Sequence, residues 1–284
     1  MNSPQGFGDR IARAMRTNGP LCVGIDPHPA LLKAWGLEDS ASGAERFGSA
    51  VLEAAADRVA YVKPQVALFE RFGSSGLQAL EDLLAQARDA GILMISDAKR
   101  GDIGSTMAAY ADAWLGASSP LASDAVTLSP YLGFESLRPA LDAAAQQGRG
   151  TFVLALTSNP EGKSVQHVGG DDSVASRIVD AARSENDRVG YSVMGPCGLV
   201  VGATVGPALH ELDIKLSTFN GPILAPGYGA QGATAEDLYR VFEGCRENVL
   251  ANSSRGILKH GPSVGGLVDA IGQASQDLIA ARGN

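Results

Sequence analysis

The sequence is poor in the residues that build metal centres and disulfide frameworks: its 284 residues include 3 cysteines and 4 histidines. Cys22, Cys197 and Cys245 are odd in number and far apart, which fits neither a disulfide framework nor a zinc spacing. They read as buried thiols. His28, His167, His210 and His260 form no HxH or HxxxH pair, and no carboxylate stands beside them in a ligand pattern, so no metal site is expected. Positive charge is short as well. Lys and Arg total 23 against 31 Asp and Glu, and the net charge of −8 repels nucleic acid and anionic membranes at long range. No apolar run approaches the roughly 18 residues of a membrane span. The opening MNSPQGFGDR has no apolar core behind a basic start and does not read as a secretion signal. These absences point to a cytoplasmic protein without nucleic-acid or membrane partners.

What is present is a regular alternation. Short apolar runs rich in β-branched residues recur eight times: LCVGID, AYVKPQ, ILMISDAK, AVTLSP, TFVLALTS, LVVGAT, PILAPGYG and NVLANSSR. Each reads as a strand buried on both faces. Between and after them lie segments of helical spacing, including AERFGSAVLEAAADRV, SSGLQALEDLLAQARDAG, GFESLRPALDAAAQQG, DSVASRIVDAARSENDR, ATAEDLYRVFEGCRE and GPSVGGLVDAIGQASQDLIAAR. Strand and helix in strict alternation imply parallel strands with crossover helices. Eight such units in a chain of this length predict one (β/α)8 barrel over residues 1–284, an α/β TIM barrel and a single catalytic domain. A doubly wound open sheet is the alternative, weakened because no GxGxxG follows the first run. The polar stretch 159–172, NPEGKSVQHVGGDD, is an insertion after the fifth strand, either a lid or an ornament.

In such a barrel the active site lies at the C-terminal ends of the strands, so the polar residues ending each run are the candidates. They are Asp26, Lys63, Asp97 with Lys99, Ser158 and Arg255. Asp97 and Lys99 are two apart and face one side of a strand, with Ala98 on the other. Lys63 precedes Pro64, which favours an extended backbone, and ends the strand expected beside them. Asp102, past a glycine turn, is placed to balance that charge or to reach a second subunit. Arg100 is expected to face solvent or an interface. After the seventh run, Gly227, Gly229 and Gly232 surround Gln231, and Arg255 follows the eighth. Barrels bind phosphate at those two loops, where glycine admits backbone N–H groups and a guanidinium grips oxygens. The competing structural readings are an ion-pair network at the rim and glycines that only form tight turns.

Taken together, D-x-K-x-x-D at Asp97, Lys99 and Asp102, YVKPQ with Lys63, GIDPHP with Asp26, TSNP with Ser158, APGYGAQGA and the late Arg255 resemble the orotidine 5′-phosphate decarboxylase family. DAKRGDIGST resembles its longer bacterial branch, and Ser254 stands where the shorter branch usually has glycine. The resemblance implies cofactor-free decarboxylation of a small nucleotide, orotidine monophosphate, to uridine monophosphate, in a homodimer with active sites at the subunit interface. It further implies that Lys99 donates the proton to C6 and Asp97 sits beside the departing carboxylate. Lys63 and Asp102 complete an alternating charge array, with Asp102 and the accompanying Thr106 coming from the partner chain. Asp26 and Lys63 meet ribose hydroxyls, Ser158 the pyrimidine, and Gln231 with Arg255 the phosphate. A lysine between aspartates stays protonated, which disfavours a Schiff-base aldolase, since that chemistry needs a neutral amine. Related barrel enzymes that use magnesium share D-x-K-x-x-D, and Lys63, a second ammonium, argues against such an ion here. A non-catalytic nucleotide binder is the remaining alternative.

Overall fold

The computed structural model describes residues 6–229 and 233–283. Its strands are β1 (Leu21–Ile25), β2 (Tyr61–Pro64), β3 (Leu93–Arg100), β4 (Ala125–Leu128), β5 (Gly150–Leu156), β6 (Cys197–Val201), β7 (Ile223–Pro226) and β8 (Val249–Ser253). Each falls wholly or mainly within one of the eight apolar runs. Neighbours pair in parallel, and β1 pairs with both β2 and β8, so the sheet closes into a barrel in chain order. Closure follows from the composition of the strands: β1, β2, β4, β6 and β8 are buried at every residue and have no polar face to give to water. The (β/α)8 expectation holds. Among the described residues, no helix is long and apolar enough to cross a membrane.

Alternate residues of each strand enter two different cores. Leu21, Val23 and Ile25 pack in the layer between barrel and helices. Cys22 joins the interior with Tyr61, Ile95, Ala125, Phe152, Val200, Leu224 and Leu250. Counting on by two from these inward residues carries the same parity to Asp26, Lys63, Gln65, Asp97, Thr127 and Asn252 at the C-terminal mouth. Apolar at the floor and polar at the mouth, the interior is graded along its axis.

The floor is sealed by an element the sequence patterns above do not include, the helix Phe7–Asn18. Phe7, Ile11 and Met15 enter the interior cluster, and the Phe7 ring meets Phe152 edge-on with centroids 6.0 Å apart. Gly150 admits this plug, because a Cβ there would lie 2.0 Å from the Phe7 ring. Asp9 ties the helix down by accepting N–H bonds from Ser192, Val193 and Met194 at 3.3, 2.7 and 3.2 Å.

Two helical segments differ from their sequence pattern. The one after β7 breaks at Phe242 into an α-helix, Ala235–Val241, and a 3-10 helix, Glu243–Asn248. The one before β5 begins as a 3-10 turn, Phe134–Leu137, and becomes α-helical at Arg138. The 159–172 insertion folds into a short helix, Lys163–Gln166, between two 3-10 turns. Gln166 fastens it to the end of β5, accepting from the Thr157 N–H at 2.9 Å and donating to Thr157 Oγ1 at 2.8 Å.

Candidate active site

Three adjacent strands bring an ion cluster to the mouth. Asp97 Oδ2 accepts from Lys63 Nζ at 3.1 Å and Gln65 Nε2 at 3.2 Å. Its Oδ1 accepts from Lys99 Nζ at 2.6 Å and Thr127 Oγ1 at 3.0 Å. A carboxylate offers about four lone-pair sites, so these donors saturate it. Lys63 is 3% exposed. Burial pushes its pKa down, but Asp97 and Asp26 outweigh that and raise it, so the amine is an ammonium. Burial also opposes ionisation of Asp97, yet the Lys63 and Lys99 ammonium groups and their hydrogen bonds hold its pKa down at about 2.

Simple alternation accounts for Asp97 but not for Lys99. Lys99 has φ +49°, in the left-handed region that costs a non-glycine residue about 1 kcal/mol or more, and the β3–β4 register shifts between Ser96 and Arg100. The Lys99 N–H donates to Thr127 Oγ1 at 2.9 Å, which holds the turn. Bent this way, Lys99 brings its ammonium back over Asp97 while leaving its side chain 45% exposed to the cavity.

A cavity of about 330 Å³ opens above the cluster, lined by Asp26, Lys63, Asp97, Lys99 and Arg255. Leu154, Val200 and Leu224 give it an apolar side. Asp26 Oδ1 is buried and has no hydrogen-bond partner among the described residues, which leaves an acceptor free for a donor brought by a ligand. Gly24 makes room beside it: a Cβ there would fall 1.9 Å from Ser254 Oγ. Gly227 and Gly229 take φ +113° and +75°, as the tight loop after β7 requires.

The other candidates stand apart in the single chain. Asp102 accepts from the Ile103 N–H at 2.8 Å and does not line the cavity. Thr106 is exposed on the first turn of the helix Gly104–Leu115. Ser158 is exposed just past β5, and it is Thr157 that lines the cavity. Gln231 and Gly232 lie outside the described residues. Arg100, expected to face solvent or an interface, keeps 22% of its side chain exposed, pairs with Glu70 and lies over the rings of Tyr110 and Trp114, 5.6 and 5.4 Å from their centroids.

Sequence reasoning passed over Gln65, Thr127, His28, Tyr228 and Asn252, of which all but Thr127 line the cavity and Thr127 holds its ion cluster. The strand parity was the signal for three of them: Gln65 is two past Lys63, Thr127 two past Ala125, and Asn252 two past Leu250. A larger cavity of about 820 Å³ lies at the opposite end, beside Phe7 and Asp9, and none of the candidate residues lines it. The three cysteines are buried, and burial pushes each thiol up to about 12. Among the described residues, no group of three or more His, Cys, Asp and Glu is arranged to hold a metal ion.

A closed parallel barrel with an ionised lysine–aspartate–lysine cluster at its C-terminal mouth defines a (β/α)8 enzyme. Residues 19–266 match the model of the orotidine 5′-phosphate decarboxylase / HUMPS family, and the chain belongs to that family. It is 54% identical over 277 residues to the orotidine 5′-phosphate decarboxylase of Streptomyces coelicolor, covering 97% of this chain and 98% of the relative. The enzyme of that name from Salinispora tropica is 53% identical over 279 residues, covering 98% of each chain. A crystal structure from Streptomyces avermitilis, 52% identical, superposes with a TM-score of 0.93 over 99% of this chain and 98% of that one.

Proposed function

We propose that this chain removes CO2 from orotidine 5′-phosphate to give uridine 5′-phosphate, the last step of UMP synthesis, with no cofactor and with Lys99 as proton donor. The near-full-length relatives named for this reaction support the activity. The observation that carries the mechanism is the Lys63–Asp97–Lys99 cluster at the cavity floor. Breaking the C6–carboxylate bond leaves its electron pair on C6, in the ring plane, where the π-system cannot delocalise it. A fixed ammonium is then the available stabiliser, and its proton passes to C6 to complete the product. Lys99, left neutral, regains a proton from solvent. Asp97 cannot leave the site, because four protein donors hold it, so it stands against the substrate carboxylate. Asp26, whose buried Oδ1 has no partner among the described residues, and Lys63 take the ribose hydroxyls. Gln231 and Arg255 take the phosphate, Arg255 from the start of the helix after β8. Ser158, just past β5, meets the pyrimidine.

The saturated carboxylate also separates this reading from magnesium-dependent chemistry on the same motif. A divalent cation would have to displace Lys63, Gln65, Lys99 or Thr127 from Asp97 and sit beside a buried ammonium.

The proposal extends to a homodimer that forms one catalytic domain per chain and works in the cytoplasm. Ile103, Tyr131 and Leu132 are 61%, 79% and 54% exposed on the loops after β3 and β4, next to Asp102 and Thr106. Large apolar side chains grouped at the rim fit burial against a second copy, which would deliver Asp102 and Thr106 to the neighbouring cavity.

The deciding assay adds orotidine 5′-phosphate and follows loss of the orotate chromophore, with and without a chelator. Equal UMP and CO2 in both conditions are expected. Binding without turnover rejects the reading, and loss of activity with chelator rejects its metal-free form. For the dimer, Lys99→Met and Asp102→Asn proteins are each inactive alone, while their mixture recovers about a quarter of native activity through hybrid dimers with one intact site. No recovery after subunit exchange counts against a shared site.

A further inference from the structure

We infer that Thr127 is a positioning residue for the proton donor. The inference rests on the reading of Lys99 above and goes beyond it by assigning a role to a buried hydroxyl that never touches substrate. Thr127 lies on β4, is 1% exposed, and shares the inward parity of Ala125. Its hydroxyl has one hydrogen and two lone pairs, and both functions are used on the same pair of residues. The hydrogen goes to Asp97 Oδ1 at 3.0 Å, and a lone pair accepts the Lys99 N–H at 2.9 Å. Lys99 Nζ returns to the same Asp97 oxygen at 2.6 Å. The result is a closed ring of three hydrogen bonds in which Lys99 is held at both its backbone and its ammonium.

This ring answers a problem the local backbone creates. At φ +49°, Lys99 occupies a conformation that a non-glycine residue leaves unless its surroundings impose it, and the β3–β4 ladder is irregular there. No ladder partner fixes Lys99, so a side chain from the neighbouring strand does. Because the hydroxyl proton is committed to Asp97, the oxygen can only accept from Lys99, and the direction of the ring is set. Without the hydroxyl, the Lys99 N–H and one acceptor site of Asp97 lose their partners together. The ammonium then samples orientations away from the reacting carbon, although every ion remains in place.

The test compares Thr127→Val, which keeps shape and β-branching, with Thr127→Ser, which keeps the hydroxyl. Valine is expected to lower kcat about 30-fold with KM within about twofold, since a misplaced donor harms the transition state more than binding. Serine is expected to retain kcat within about threefold. UMP affinity stays native in both, reporting an intact phosphate end. Native kcat in Thr127→Val overturns the inference, and so does a Thr127→Ser enzyme as slow as the valine variant, which would make volume rather than the hydroxyl the cause. If valine does not fold, Thr127→Ala takes its place against serine with the same expectation. Lys99→Met, run alongside, separates the two levels. Native turnover there removes both the parent reading and this inference, whereas its loss together with a native-like Thr127→Val removes only the inference.

Discussion

At the floor of the barrel the charged groups close on the protein itself. Asp9 is satisfied by three backbone N–H groups, and Arg10 joins Asp124 Oδ1 at 2.9 Å and the Gly148 carbonyl at 3.1 Å. Asp124 Oδ2 also takes the Met94 N–H at 3.0 Å. At the mouth, two ammonium groups share one carboxylate, Asp26 keeps an oxygen with no partner among the described residues, and Lys99 is held in a costly conformation. The same residue types serve different ends. Where every ion, the Arg10–Asp124 pair included, is also met by backbone, the arrangement holds helix to barrel. Where ions are met by other side chains and one acceptor has no partner among the described residues, the fold is holding something ready for a ligand.

Substitutions at the two ends test that contrast. The largest effect belongs to Lys99→Met, expected to lower kcat by about 10,000-fold or more while the urea midpoint stays close to native. Steady-state kinetics and equilibrium unfolding on one preparation check both halves. Arg255→Ala comes next, with kcat/KM reduced about 100-fold if the proposed phosphate contact supplies the binding energy that positions the ring. An unchanged value removes Arg255 from the site. Asp9→Ala is the mirror case: about 2 kcal/mol less stable, from three backbone donors that lose their acceptor, the one at Met194 buried, with native kcat in the folded fraction. A fall in kcat there would erase the distinction between the two ends.

The smallest effect is read in acid. Asp97 titrates at about 2 in the fold against an ordinary 3.8, so the stability it lends is complete above pH 3.8 and is lost as pH falls from there through 2. The lost amount is roughly 2 kcal/mol. Unfolding followed from pH 5 down to 2 should fall more steeply for the native chain than for Asp97→Asn, whose side chain does not titrate. Parallel slopes would mean that the pair is not ionised as described.

Much of this architecture was legible in the sequence, and the exceptions share a cause. Eight strands announce themselves, five of them buried at every residue, because an apolar run needs no partner to be recognised. The helix Gly104–Leu115 was harder to see: Met107, Ala111, Trp114 and Leu115 are buried, but Ala108, Ala109 and Ala113 blur its stripe. The plug Phe7–Asn18 carries a clear stripe at Phe7, Ile11 and Met15, yet what it packs on is the inside of a barrel, which only closure creates. At the site, Lys63, Asp97 and Lys99 could be read because charge at a strand end is conspicuous. Thr127 and Gln65 were missed because a threonine in AVTLSP and a glutamine after Lys-Pro look like ordinary strand residues. Their meaning lies in distances to Asp97 across β2, β3 and β4. The bend at Lys99 has no sequence mark at all, since glycine is the residue that normally signals it.

With Cys22, Cys197 and Cys245 buried and protonated at neutral pH, none offers a thiolate to an alkylating reagent. The native protein is thus a silent background for labelling. A single new sulfur placed by Ser158→Cys or Thr106→Cys would be the one that reacts, and a fluorophore or spin label attached there would report whether the end of β5 or the start of the helix Gly104–Leu115 changes its surroundings when nucleotide is added.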